Sequence, residues 1–247
     1  MTRAFWVKVL LGWAILTSGV VFLVTRAAPL PGRAVAAMGC ALFVVWVLVL
    51  GGLMYRGRDL VKKAVLAVPL PWWLKFVLFS LALAMLEEVI TTSLTNLAPL
   101  FGARLGEAYI TASANYWDVI CYHSIIMFVP GILVWAWLLS RYAFNATDVF
   151  LLWGIFGFVA ELGFSGVSQA LAFGFWIFVY GLMMYLPAYS LPERDAKPPR
   201  YYHYALSLIL PFLGLIPFYI VFGILSKLFP NSYFGHFPTH PRIDFPS

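Results

Sequence analysis

Apolar stretches long enough to cross a bilayer recur along this chain from Phe5 to Phe229, parted only by short polar breaks. That recurrence leaves few folds open. A helix needs roughly 20 consecutive apolar residues to span the hydrocarbon core of a membrane, and in hydrocarbon each backbone amide must be satisfied within its own element. Of the 247 residues, 63% are hydrophobic and 11% charged, against about 25% charged in soluble domains. A water-soluble core cannot absorb so much apolar surface. The expected fold is all-α: one polytopic integral membrane domain over residues 1–247, a bundle of about seven transmembrane helices with no separate soluble domain.

The pattern places spans near residues 5–24, 34–55, 71–97, 116–139, 147–166, 169–186 and 204–229. The first stretch is too long for the apolar core of a signal peptide, and Arg26 interrupts the small-residue pattern a cleavage site would need, so it reads as a retained span. Pro29 and Pro31 part the first two spans. Pro69, Pro71, Trp72 and Trp73 mark entry to the third, where proline starts helices and tryptophan favours the interface. Asn115 with Asp118, and Asn145 with Thr147, are start signals for the fourth and fifth. Pro211 and Pro217 should kink the last.

The net charge of +6 comes from basic residues at span ends. Topology and lipid headgroups explain them better than nucleic acid does. With the amino terminus inside, 11 Lys and Arg residues fall inside and 5 outside, which puts the amino terminus in the cytoplasm and the carboxyl tail outside, in the plasma membrane. Cys40 and Cys121 sit in or beside apolar segments and read as small buried hydrophobes.

Glu87 and Glu88 fall near the middle of the third span, where a carboxyl costs several kcal/mol unless protonated, paired or hydrated. Helical spacing aligns Ala84, Glu88, Thr92 and Thr95 in one stripe, with Ser80, Glu87 and Thr91 beside it. That face should point into the bundle. In the fifth span Gly154, Gly157, Glu161, Ser165 and Ser168 recur at similar spacing and permit close helix approach. At 1.5 Å per residue Glu87 and Glu161 lie roughly 24 and 22 Å from the inner ends of their spans, at one depth. His123 is the one histidine within a predicted span, about two turns in from the outer side.

Glu87, Glu88, His123 and Glu161 are thus the candidate catalytic set; the same groups could ligate a divalent metal, share protons in a relay, or only specify packing. Glu107 and Asp118 read as solvent-facing or capping. His236, His240 and Asp244 in the tail offer metal-ligand spacing, but Pro238 breaks any helix that would align them. No phosphate-binding loop, dinucleotide fingerprint, zincin or serine-hydrolase motif occurs. Neither nucleotide nor haem is expected, since His203 and His236 fall at or beyond span ends.

A glutamate pair in mid-span, a histidine on the next span and a further polar span resemble the CAAX-protease and PrsW group of intramembrane glutamate proteases, over roughly residues 71–186. The resemblance implies a membrane-embedded hydrolase in which Glu87 or Glu88 is general base and His123 holds the water or the oxyanion. Thr91 and Thr92 stand where that group carries a basic residue, and no later span offers a second histidine followed by Asn or Asp. The alternative is a non-enzymatic membrane protein, either an ion, proton or lipid transporter or a scaffold subunit. Expected partners are the lipid bilayer and other membrane subunits, not nucleic acid.

Overall fold

The computed structural model describes residues 2–229, so the tail residues His236, His240 and Asp244 lie outside the described residues. The described residues form an all-α bundle of seven helical rods, as expected: α1 (Arg3–Val24), α2 (Leu30–Ala67), α3 (Trp72–Asn96), α4 (Tyr116–Arg141), α5 (Ala146–Ser165), α6 (Phe173–Tyr189) and α7 (Tyr201–Leu228). Six helices are long and apolar enough to cross a membrane. The other rod is α3, the one that carries the glutamate pair. The chain is an integral membrane protein.

Local chemistry sets the helix boundaries. Asn115 Oδ1 accepts from the Trp117 amide at 3.0 Å and Asn145 Oδ1 from the Asp148 amide at 2.9 Å, satisfying donors that the first turns of α4 and α5 leave open. Asp118 does not complete a capping box with Asn115; it accepts from Ser113 Oγ at 3.4 Å instead. Gly166, at φ 83°, closes α5 in a conformation that only glycine adopts readily. Two of the boundaries that depart from expectation change what a helix carries. The second helix runs on to Ala67 and does not stop near Tyr55, because eight of the twelve residues from Arg56 to Ala67 are strong helix formers and no proline comes before Pro69. The last helix starts at Tyr201, which brings His203 inside it, buried, with its Nδ1 accepting from the Arg200 amide at 2.8 Å.

The amino-terminal ends of α1, α5 and α7 meet at one end of the bundle, where Asp148 pairs with Arg3 at 2.6 Å and accepts from Tyr204 at 3.2 Å. At the carboxyl ends of α2 and α6 the Tyr189 hydroxyl donates to Asp59. Backbone bonds between Arg141 to Ala143 and Lys197 hold the end of α4 to the link before α7. Successive helices therefore alternate in direction.

The hub is α6, which packs against α1, α2, α3 and α5. Its most apolar window is 61% buried, against 6% for α1 and 11% for α7, so these two are peripheral helices with lipid-facing surfaces. Buried Trp46, in a π-helical stretch of α2, donates to the Val179 carbonyl of α6 at 2.9 Å. Cys121 departs from the buried reading and is exposed, while Cys40 is half-buried with its Sγ 3.5 Å from the Ser18 carbonyl.

The tightest contact joins α5 to α6. A methyl group on Gly154 would collide with the backbone carbonyl of Ile177, and one on Gly157 would enter the ring of Tyr180. From the other side, one on Gly181 would come within 2.7 Å of the Phe150 carbonyl. Overpacking of this kind typically costs about 1–3 kcal/mol. Gly154→Ala should accordingly lower the thermal midpoint of the purified protein by several degrees. Gly163→Ala, whose new methyl meets nothing within 4 Å, should leave it unchanged or raise it slightly, a contrast that differential scanning fluorimetry in detergent measures.

Candidate functional site

The polar face of α3 points inward as its spacing predicts: Ser80, Ala84, Glu87, Glu88, Thr91, Thr92 and Thr95 are all buried. Apolar neighbours occupy the remainder of that face, so the carboxyls depend on polar groups brought by other segments. Glu88 gathers them.

Glu88 Oε1 accepts a 2.6 Å bond from Ser124, and Oε2 accepts 3.1 Å bonds from Thr91 and Thr111. Each hydroxyl comes from a different segment. Thr91 lies one turn along α3. Thr111 is delivered by the segment between α3 and α4, which folds back so that Ala98, Ala103 and Ala108 pack on Ala34 and Met38 of α2. Within that segment Gly102 and Gly106 take positive φ, and Tyr116 donates to the Met85 carbonyl at 3.2 Å. Ser124 lies on α4, in the π-helical stretch Ile120–Ser124.

That stretch also carries His123, whose Nδ1 lies 3.9 Å from Glu88 Oε1. A π-turn adds a residue to the helical ladder and turns neighbouring side chains toward one another's face, a distortion frequent at functional sites. Here it presents both His123 and Ser124 to one carboxyl. The His123 side chain keeps 26% of its surface accessible while that of Glu88 keeps 6%, so the histidine stands between the buried acid and open space.

A small cavity opens beside it, lined by His123, Met127, Phe156, Gly157, Glu161 and Tyr180 among others. Its volume of about 20 Å³ has room for about one water. The Tyr180 hydroxyl donates to Glu161 Oε1 at 2.5 Å. Because the side chain of Gly157 is absent, the Tyr180 ring lies directly against the α5 backbone. Glu87 is near enough to both Glu88 and Glu161 to feel their charges.

All four sequence candidates therefore converge, as two linked clusters: Glu88 with His123 and Ser124, and Glu161 with Tyr180, with Glu87 close to both. Glu88 itself does not line the cavity; His123 and Glu161 do. As a metal centre the set falls short, since among the described residues no three His, Cys, Asp or Glu side chains group closely enough to hold an ion. On α5, Gly154 and Gly157 make the close approach expected of the small-residue stripe, Ser168 lies past the helix end and exposed, and the side chain of Ser165 lies outside the described residues.

Three side chains of these clusters, Ser124, Thr111 and Tyr180, are not among the sequence candidates. Ser124 could have been found from its position next to His123. Thr111 sits in a segment with no periodicity, and nothing around Tyr180 sets it apart from 12 other tyrosines. No protein-family model, curated protein or solved structure matches this chain.

Ser124→Ala removes the shortest bond to a buried carboxyl, and hydrogen bonds to charged groups contribute about 1.5–3 kcal/mol. The variant should unfold at a clearly lower temperature than wild type. Ser140→Ala should not, because Ser140 bonds only its own helix, on an exposed face. Thermal unfolding of the three proteins in one detergent checks the difference.

Proposed function

We propose that the chain is a membrane-embedded hydrolase of the intramembrane glutamate type, placed in the plasma membrane with its amino terminus in the cytoplasm and its carboxyl terminus outside. One observation carries the reading. His123 stands between a buried acid and a one-water cavity whose wall also holds the Glu161–Tyr180 pair.

In this reading the roles shift from those the family resemblance implies. His123 is the group that touches the water and takes its proton as the oxygen attacks an acyl carbon. Glu88 is a positioning residue, steadying the imidazolium that forms while its other acceptor sites are held by three hydroxyls. The proton then passes from His123 to the leaving group. Glu161 and Tyr180 supply a second proton-holding pair on the same cavity, and Glu87 is a further buried carboxyl next to Glu88.

His123→Ala should lower the hydrolysis of membrane-spanning peptides by about 10²- to 10⁴-fold, the usual worth of a general base. Glu88→Gln keeps the shape of the site but removes the charge behind the imidazole, so it should lower kcat and shift the pH–rate profile. The assay uses purified protein in liposomes with a panel of fluorogenic transmembrane peptides. Unchanged cleavage in His123→Ala would overturn the assignment.

The cavity's size favours one other reading. A space for a single water admits no peptide bond without movement of the helices, whereas carboxyl, imidazole and phenol groups around one water suffice for a proton path. If the wild type cleaves no peptide but shows pH-gradient-driven proton uptake that Glu88→Gln abolishes, proton movement replaces hydrolysis.

A further inference from the structure

We propose that Arg194 anchors a binding site for the phosphate of an anionic membrane lipid, at the bundle end formed by α2's extension, the start of α3 and the 190–200 link. The site lies outside the Glu88 cluster and does not depend on the hydrolase reading.

The argument begins with an unanswered group. The Arg194 guanidinium lies over the ring of Trp72, 5.0 Å from its centroid, and its Nε and Nη1 are buried with no hydrogen-bond partner. Burial disfavours its charge and lowers its pKa. Arginine nevertheless stays charged at any pH a cell provides, so those N–H groups need an acceptor and cannot shed their protons. The adjacent Glu193 and Asp195 are exposed to solvent, and neither is paired with Arg194 among the described residues.

The same end of the bundle carries a second cationic and aromatic group at the close of α2 and α6. Arg58 lies 4.1 Å from the Tyr55 ring and 5.4 Å from that of Tyr189, over which Lys62 also sits at 5.5 Å. Arg58 Nε is another buried donor without a partner. The nearby acid Asp59 is engaged by the Tyr189 hydroxyl. Guanidinium N–H groups bind phosphate oxygens through charge-assisted hydrogen bonds, the kind of acceptor that Arg194 Nε and Nη1 lack.

The occupant is a lipid because of where the site sits. The 38 residues of α2 extend about 57 Å at 1.5 Å per residue, nearly twice the roughly 30 Å hydrocarbon core. The turns that follow the crossing thus begin at headgroup level, and they carry Arg56, Arg58, Lys62 and Lys63 beside exposed Leu60 and Leu66. Val68, Leu70 and Trp73 continue the exposed apolar rim. Basic side chains among interfacial apolar ones are the pattern that anionic headgroups recognise.

The test is native mass spectrometry of the full chain released from detergent with added phosphatidylglycerol, phosphatidylcholine or inorganic phosphate, paired with thermal shifts. Wild type should retain phosphatidylglycerol and be stabilised by it, and phosphatidylcholine should do neither. Arg194→Gln should lower phosphatidylglycerol retention about tenfold, Arg194→Lys should restore part of it, and Arg33→Gln at the opposite end of the bundle should change nothing. Equal retention by Arg194→Gln and wild type, or equal binding of the two lipids, overturns the site. Stabilisation by inorganic phosphate matching that by phosphatidylglycerol overturns the lipid as its source. If Arg194→Gln does not fold, the lysine variant and the lipid comparison on wild type decide between the same outcomes.

Discussion

The close approach of α5 and α6 sets the geometry on which everything near the site depends. At Gly154 the α5 backbone meets that of Ile177 directly, and at Gly157 it meets the ring of Tyr180. Lipid offers helices no hydrophobic drive to associate, so contact of this kind and the dispersion it brings must hold them together. The same contact fixes the Tyr180 ring against Gly157, one helical turn from Glu161, and so decides that phenol and carboxyl meet. A side chain at position 157 would displace the ring and remove one wall of the cavity. Packing and chemistry at this seam are one constraint.

Glu88 shows the other way a bundle of this kind is specified. A buried carboxyl is tolerable only when its acceptor sites are filled, and here the donors come from α3, from the folded-back segment and from α4. The acid therefore ties together three parts of the chain that apolar packing alone would leave free to slide. An apolar residue at position 88 could make the core no less stable, since buried polar networks often break even against well-packed hydrophobes. What it would lose is the reason for Thr111 and Ser124 to be where they are. That network ends at a histidine on a cavity, which is the observation the proposed hydrolase rests on.

How much of this could be read in advance follows from the range of each interaction. The inward face of α3 was legible because helical periodicity is a local property, and every residue of the Ser80 to Thr95 stripe obeyed it. The reach of α2 past Tyr55 leaves no apolar trace, because arginine and lysine favour helix without being apolar and no proline comes before Pro69. Thr111 was hidden because a fold-back held by buried alanines leaves no periodic trace. The π-turn was hidden for a further reason: it depends on the energy of one extra residue in the ladder, offset here by two side chains reaching Glu88, which no single-segment pattern records.

That π-turn also bears on how a site this closed could work. A π-stretch lacks part of the regular ladder, and the extra residue can be moved along the helix at lower cost than a regular turn can be broken. Ile120–Ser124 carries both the residue that binds Glu88 most closely and the one that lines the cavity. A shift of register there would swing His123 while α3, buried along its whole polar face, stays in place. In such a shift the histidine would move and the acid would stay, held by Thr91 and Thr111, whose hydroxyls lie outside the π-stretch.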